Sequence, residues 1–239
     1  MIEDIETSLK IIVVGNGVVG KTSMAQRFAK NIYTDDYKKT LGVDFLLKKK
    51  YIKQIDKEVE FMIWDTAGQE YYDAITRKYY KGASGALIVF SITDKLSFDS
   101  VRKWKEKVRS ECNDIPILLV MNKIDLINQV VIDDKQAENL ASELHMPLYK
   151  VSVKENLNVN EVFDNLAIEY FKKGMNYKSD TLQNVSEISK NGSKNEIKEI
   201  ESIKIQKNVE NTKPNLILGK GTNQDEQKKK KKKSFCSIL

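Results

Sequence analysis

Two adjoining segments near the start of the chain constrain the fold more than any other stretch. Leu9-Lys10-Ile11-Ile12-Val13-Val14 is short, branched and apolar, as a strand buried on both faces must be. It runs directly into Gly15-Asn16-Gly17-Val18-Val19-Gly20-Lys21-Thr22, which satisfies G-x-x-x-x-G-K-[ST]. The motif in turn opens a helical pattern. A strand, a glycine-rich turn and a helix in that order predict a phosphate cradle. The turn's backbone N–H groups wrap the anion, and the helix start adds the positive end of its dipole. Lys21 is expected to reach the β- and γ-phosphates of a nucleotide, and the Thr22 hydroxyl to bind Mg²⁺. Ser23 is counted with the loop as cofactor-binding.

Further buried-strand patterns lie at Ala86-Leu87-Ile88-Val89-Phe90 and Ile115-Pro116-Ile117-Leu118-Leu119-Val120, with a weaker one at Leu148-Tyr149-Lys150-Val151. Apolar residues at helical spacing fill the intervals. One helix is expected over 95–110 (Phe98, Val101, Trp104, Val108), and others over 133–145 and 158–171. Residues 44–65 read instead as two longer strands turning near Ile55-Asp56-Lys57-Glu58. Strands alternating with helices predict an α/β fold: a mostly parallel, six-stranded sheet with helices on both faces and one hairpin addition.

Which base such a cradle would serve is written elsewhere. Asn122-Lys123-Ile124-Asp125 follows the 115–120 strand, so it falls at the carboxyl edge of the sheet, where ligands bind in such folds. The Asp125 carboxylate can accept hydrogen bonds from guanine N1–H and the N2 amino group. Adenine offers neither donor and would leave that carboxylate unpaired. Ser152-Val153-Lys154, after the next strand, is expected to complete the base pocket. Asp65-Thr66-Ala67-Gly68 follows the apolar Phe61-Met62-Ile63-Trp64. Asp65 suits Mg²⁺ through water, the Gly68 N–H suits the γ-phosphate, and Gln69 is placed to orient an attacking water. Thr40, in a polar loop after the first helix, can supply a second Mg²⁺ hydroxyl. A non-hydrolysing scaffold is the alternative; the absence of a side chain at Gly17 and the presence of Gln69 favour turnover.

Charge divides the chain. Residues 172–239 carry 16 Lys against 8 Asp+Glu, whereas residues 1–171 carry 24 Lys+Arg against 26 Asp+Glu. Of 20 aromatic residues, 18 lie in the first segment. The reading is a near-neutral globular domain over 1–171 and a disordered basic tail over 172–239. Nucleic acid is not an expected partner, because such a domain would carry its positive charge on the folded part. No apolar run reaches the ~18 residues of a membrane span. The acidic beginning argues against a secretory signal, and Ile2 against myristoylation. Cys112 and Cys236 cannot build a disulfide framework, which points to a reducing compartment. Six lysines at 228–233 precede Cys236-Ser237-Ile238-Leu239, which reads as a C-a-a-X box, its Leu favouring geranylgeranyl. His145, the sole histidine, has no partner motif.

Taken in order, these motifs resemble the Ras superfamily of small GTPases over about residues 8–171. Thr40-Leu41-Gly42-Val43-Asp44-Phe45, Trp64-Asp65-Thr66-Ala67-Gly68-Gln69-Glu70 and Tyr79-Tyr80-Lys81-Gly82-Ala83 are specifically similar to the Rab family. That resemblance implies a monomeric GTP phosphohydrolase with GTP or GDP and Mg²⁺ bound. It implies an exposed aromatic triad of Phe45, Trp64 and Tyr79 that effectors read, and Tyr33 beside the guanine, with Tyr37 also at the nucleotide. It further implies an exchange factor, a GTPase-activating protein, prenylation machinery acting on Cys236, a dissociation inhibitor, and a place on the cytoplasmic face of membranes in vesicle traffic. Asp73-Ala74-Ile75-Thr76 and residues 152–163 are most similar to the subgroup of the twenty-third Rab, associated with cilia and Hedgehog signalling. Ser91 and Val153 depart from the commoner Asp and Ala, and the single terminal cysteine departs from the usual pair.

Overall fold

The computed structural model describes residues 7–36, 40, 42–66 and 78–174. Strands β1 (Ser8–Val14), β2 (Val43–Ile52), β3 (Lys57–Thr66), β4 (Gly85–Ser91), β5 (Ile117–Asn122) and β6 (Leu148–Lys150) form one sheet in the order β2-β3-β1-β4-β5-β6. β2 runs antiparallel to β3, and every other pairing is parallel. Helices are α1 (Lys21–Lys30), α2 (Lys95–Asp99), α3 (Val101–Glu111), α4 (Asp134–Glu143) and α5 (159–174).

Alternation along the strands splits the core into two layers. Leu9, Ile11, Val13, Leu87, Val89, Leu118 and Val120 pack with Met24 and Phe28 of α1 and with Val162, Phe163 and Leu166 of α5. Phe28 and Phe163 stack with centroids 3.9 Å apart. Ile12, Val14, Ile88, Phe90, Leu119 and Met121 pack against Phe98 of α2, Trp104 and Val108 of α3, and Leu140 of α4. Every residue of β4 and of β5 is buried, as parallel strands covered on both faces require.

Edge strand β2 departs from that pattern. Its inward row reads Leu46, Lys48, Lys50, Ile52, with the aliphatic ends buried. Lys48 Nζ donates to the Phe28 carbonyl at 2.5 Å, and Lys50 pairs with Asp164 of α5 at 2.6 Å. Its outward row exposes Phe45, Leu47 and Tyr51.

Two expectations need adjustment. The helix expected over 95–110 is interrupted at Ser100, whose Oγ donates back to the Leu96 carbonyl at 2.7 Å and competes for the backbone ladder. The strand expected at 115–120 begins at Ile117, after Pro116, and continues to Asn122, so Asn122 belongs to the strand. The hairpin over 44–65 appears with its turn at 53–56, where Asp56 adopts a φ of 52°. α4 opens on a capping box, Asp133 accepting from Gln136 N while the Gln136 side chain accepts from Asp133 N.

Candidate functional site

The segments that follow β1 and β6, with the carboxyl end of β5, converge on a cavity of about 530 Å³. Its walls include Lys21, Thr22, Tyr33, Thr40, Asp125 and Lys154. Five of the segments singled out in sequence therefore meet there, although they are spread over more than 130 residues.

One end is the glycine-rich turn. Gly20 has φ 96°, and a Cβ there would lie 2.4 Å from the Asn122 side-chain amide. Gly15 has φ 139°, and a Cβ would lie 2.2 Å from the Val89 carbonyl oxygen. Gly17 has nothing within 4 Å of an added Cβ. Val18 lies exposed at φ 64°, a costly region for a β-branched residue, while Val19 is fully buried in the core. Lys21 is buried and donates to the Asn16 carbonyl at 2.7 Å. Burial brings its ammonium down to about 8, with the Asp65 charge acting the other way. A bound anion would favour the charged form. The Asn16 side chain turns away from the cavity: it accepts from Trp104 Nε1 at 2.8 Å and donates to Ser100 Oγ at 3.2 Å. The turn is thus tied to α3.

Beside Lys21, the Thr22 hydroxyl donates to Asp65 Oδ2 at 2.5 Å and stands 2.8 Å from the Thr40 hydroxyl. Asp65 is fully buried, and among the described residues its Oδ1 has no hydrogen-bond partner. Burial pushes its carboxyl up to about 6, against the Thr22 hydrogen bond and the Lys21 charge. Two hydroxyls and a buried carboxylate with an unsatisfied oxygen form an all-oxygen donor set suited to Mg²⁺.

At the other end, Ser152 Oγ donates to Asp125 Oδ1 at 2.6 Å. Asn122 is buried, and both ends of its amide are engaged by the chain: Nδ2 donates to the Val19 carbonyl at 2.8 Å, and Oδ1 accepts from Val153 N at 3.3 Å. Asn122 therefore brackets the glycine-rich turn to the 152–154 loop. Lys123 holds φ 64° and lines the cavity, its pKa lowered by burial. Tyr33 lies at the cavity wall, bonded to Asp35; burial and that bond push its hydroxyl up to about 12.

Comparison with known proteins agrees with this arrangement. The model of the Ras family matches residues 10–172. This chain belongs to the Ras family. Similar proteins include Ras-related protein Rab-1C of Dictyostelium discoideum, 42% identical over 165 residues covering 69% of this chain and 81% of the relative. Ras-related protein Rab-1A of the same organism is 38% identical over 161 residues, covering 67% and 79%. Human Ras-related protein Rab-3A is 36% identical over 165 residues, covering 69% and 74%. As a Rab-like member of the Ras family, the chain is a small GTPase, a hydrolase acting on GTP.

On the Ras-family domain's surface, Phe45, Trp64 and Tyr79 form a contiguous cluster. Phe45 meets Trp64 edge to face at 5.3 Å, and Trp64 meets Tyr79 at 5.5 Å. Lys10 Nζ lies 4.5 Å from the centre of the Trp64 ring, a support the sequence reading did not foresee. Arg27 and Trp104 also escaped it. Each acts from a helix onto a loop far away in sequence, so only the folded register brings the partners together. Ser23 lines the cavity. Tyr37, Gly68, Gln69 and Cys236 lie outside the described residues, as do the 73–76 segment and the lysines at 228–233.

Proposed function

We propose that this chain is a membrane-anchored switch that binds GTP and GDP, hydrolyses GTP, and presents different loop surfaces in the two states. The observation that carries the reading is the shared cavity, with Lys21 and Thr22 at one end and Asp125 at the other. Its volume of about 530 Å³ lies within the range of small-molecule sites. In this reading the backbone of Gly15, Asn16, Gly17, Val18, Val19 and Gly20 wraps the phosphates, and Lys21 offsets their charge. Thr22, Thr40 and Asp65 hold Mg²⁺, which when bound neutralises charge developing on the phosphates. Asp125 accepts from the guanine edge, and Asn122, Lys123, Ser152, Val153 and Lys154 shape its pocket. Tyr33 and Tyr37 flank the nucleotide. Gly68 senses the γ-phosphate, and Gln69 orients the attacking water.

None of the described lining residues is an arginine. Intrinsic turnover is therefore slow, and a GTPase-activating partner supplies the missing charge, an effect worth roughly 10³–10⁵ in rate where an arginine does so. The Gly17→Val variant tests turnover. An added side chain meets no protein atom within 4 Å at Cβ, so the fold should survive. It would instead crowd the reacting phosphate, and single-turnover GTP hydrolysis should fall roughly 10–100-fold. Wild-type hydrolysis at or below the rate of the variant would favour the non-hydrolysing scaffold.

Residues 172–174, counted with the tail in sequence, extend α5, and the tail beyond them is proposed as a flexible tether of about 45 Å mean span to Cys236. A geranylgeranyl chain on Cys236 gives marginal anchoring alone, and the lysines at 228–233 add attraction to anionic lipid. On this reading the chain is a monomeric switch, with a cytosolic pool, on the cytoplasmic face of the plasma membrane or of endosomal or other vesicles. Its partners are effectors at Phe45, Trp64 and Tyr79, an exchange factor, prenylation machinery and a dissociation inhibitor. Nucleic acid is not among them. A ciliary role follows only if the 73–76 and 152–163 segments mark the subgroup they resemble. Cys236→Ser should move the protein from the membrane pellet to the soluble fraction of lysed cells. A variant still sedimenting with membranes would rule out the lipid anchor.

A further inference from the structure

One side chain joins three parts of the base end. Arg27 lies on α1, the helix that carries Thr22. Its Nε donates to the Val153 carbonyl at 3.1 Å, and its Nη2 donates to the Lys154 carbonyl at 3.0 Å. The same guanidinium lies 5.3 Å from the centre of the Tyr33 ring. Ser152, adjacent to those carbonyls, donates to Asp125 Oδ1 at 2.6 Å. The chain of contacts therefore runs from α1 through the 152–154 loop to the carboxylate proposed to read the base.

We infer that Arg27 is a positioning residue for guanine recognition, fixing the 152–154 loop so that Ser152 aims Asp125. The inference rests on the base-pocket reading given above. A planar fork presents two preorganised donors to adjacent carbonyls while the guanidinium lies beside an aromatic ring; a lysine ammonium carries the same charge without that fixed fork. Without Arg27, the Val153 and Lys154 carbonyls lose their charge-assisted donors; the loop keeps its bonds to Asn122 and Asp125 and its local backbone pairing of Ser152 with Leu157, but no other bond to α1 among the described residues. Ser152 then holds the Asp125 carboxylate less firmly. The contacts to the N2 amino group, which need the carboxylate correctly turned, weaken most. The phosphate end is held separately, by Asn16 on Trp104 and by the glycine-rich turn.

The test compares GDP with IDP, whose base lacks the N2 amino group. Full-length wild type, Arg27→Leu and Arg27→Lys are loaded with fluorescent GDP or IDP, and release and affinity are measured with Mg²⁺ present. Arg27→Leu should release GDP about tenfold faster than wild type, the effect of losing about one strong hydrogen bond. The affinity preference for GDP over IDP should shrink about threefold or more, because IDP has less to lose. Arg27→Lys keeps the charge and should fall between. It also carries the test should Arg27→Leu fail to fold. Wild-type release in Arg27→Leu would overturn the inference. So would equal acceleration for both nucleotides, which would reduce Arg27 to general support of the fold. A wild type holding GDP and IDP equally would remove the base-pocket reading itself, an outcome visible without either variant.

Discussion

Asp125→Asn should weaken GDP binding roughly 10³–10⁵-fold, the penalty when a site built for hydrogen bonding meets the wrong partner. The substitution keeps the volume of the side chain and exchanges one acceptor oxygen for a donor amide. Guanine presents donors at N1 and N2, so the amide would face one of them donor to donor. Xanthine carries a carbonyl oxygen at C2, and its diphosphate should bind the variant more tightly than it binds wild type. The geometry limits the change to the base end. Ser152 Oγ can still donate to the amide oxygen that replaces Asp125 Oδ1, and Asn122 keeps its bonds to Val19 and Val153. Competitive titration with GDP, XDP and ADP checks the expectation. Equal affinity of the wild type for ATP and GTP would show that the base pocket has been assigned wrongly.

Chelation of Mg²⁺ should accelerate GDP release by roughly 10²-fold, the scale of the several kcal/mol that a bound cation contributes at a phosphate site. Asp65 makes the effect specific. Its buried Oδ1 lacks a partner among the described residues, and burial has already pushed its carboxyl up to about 6. A cation would satisfy that oxygen and stabilise the ionised form. Asp65→Asn, which keeps the shape and removes the charge, should release GDP rapidly with Mg²⁺ present and respond little to EDTA. Stopped-flow release of a fluorescent GDP measures both. A wild type indifferent to EDTA would separate the Thr22, Thr40 and Asp65 cluster from metal binding.

Much of this site was legible because its chemistry is local. Gly15 to Thr22 and Asn122 to Asp125 are contiguous segments, and each lies at the end of a strand that reads as predominantly apolar. Parallel strands buried on both faces leave little ambiguity of period, so β4 and β5 were placed to within about two residues. Less legible were contacts made across the fold. Asn16 sits inside the glycine-rich motif, yet its side chain serves Trp104, some 88 residues away. Asn122 belongs to the base motif, but its amide is spent within the protein. Ser100 breaks a helix whose apolar spacing runs through it unchanged. In each case one polar group selects a partner that only the tertiary register supplies, and a single sequence carries no signal of that choice.

The inward lysines of β2 bear on what happens when copies of this chain meet edge to edge. Under the lipid anchor proposed above, the domain would be confined to a thin layer, where encounters between copies are far more frequent than in bulk solution. An unpaired strand at the border of a sheet invites another chain to extend the ladder, and here the outer row offers Phe45, Leu47 and Tyr51 as apolar bait. Lys48 and Lys50 oppose that outcome. A copy stacking onto the border would bring its own inward ammonium groups against theirs, with the Phe28 carbonyl and Asp164 already committed. The same aromatic row can then stay open to partners without becoming a seed for aggregation.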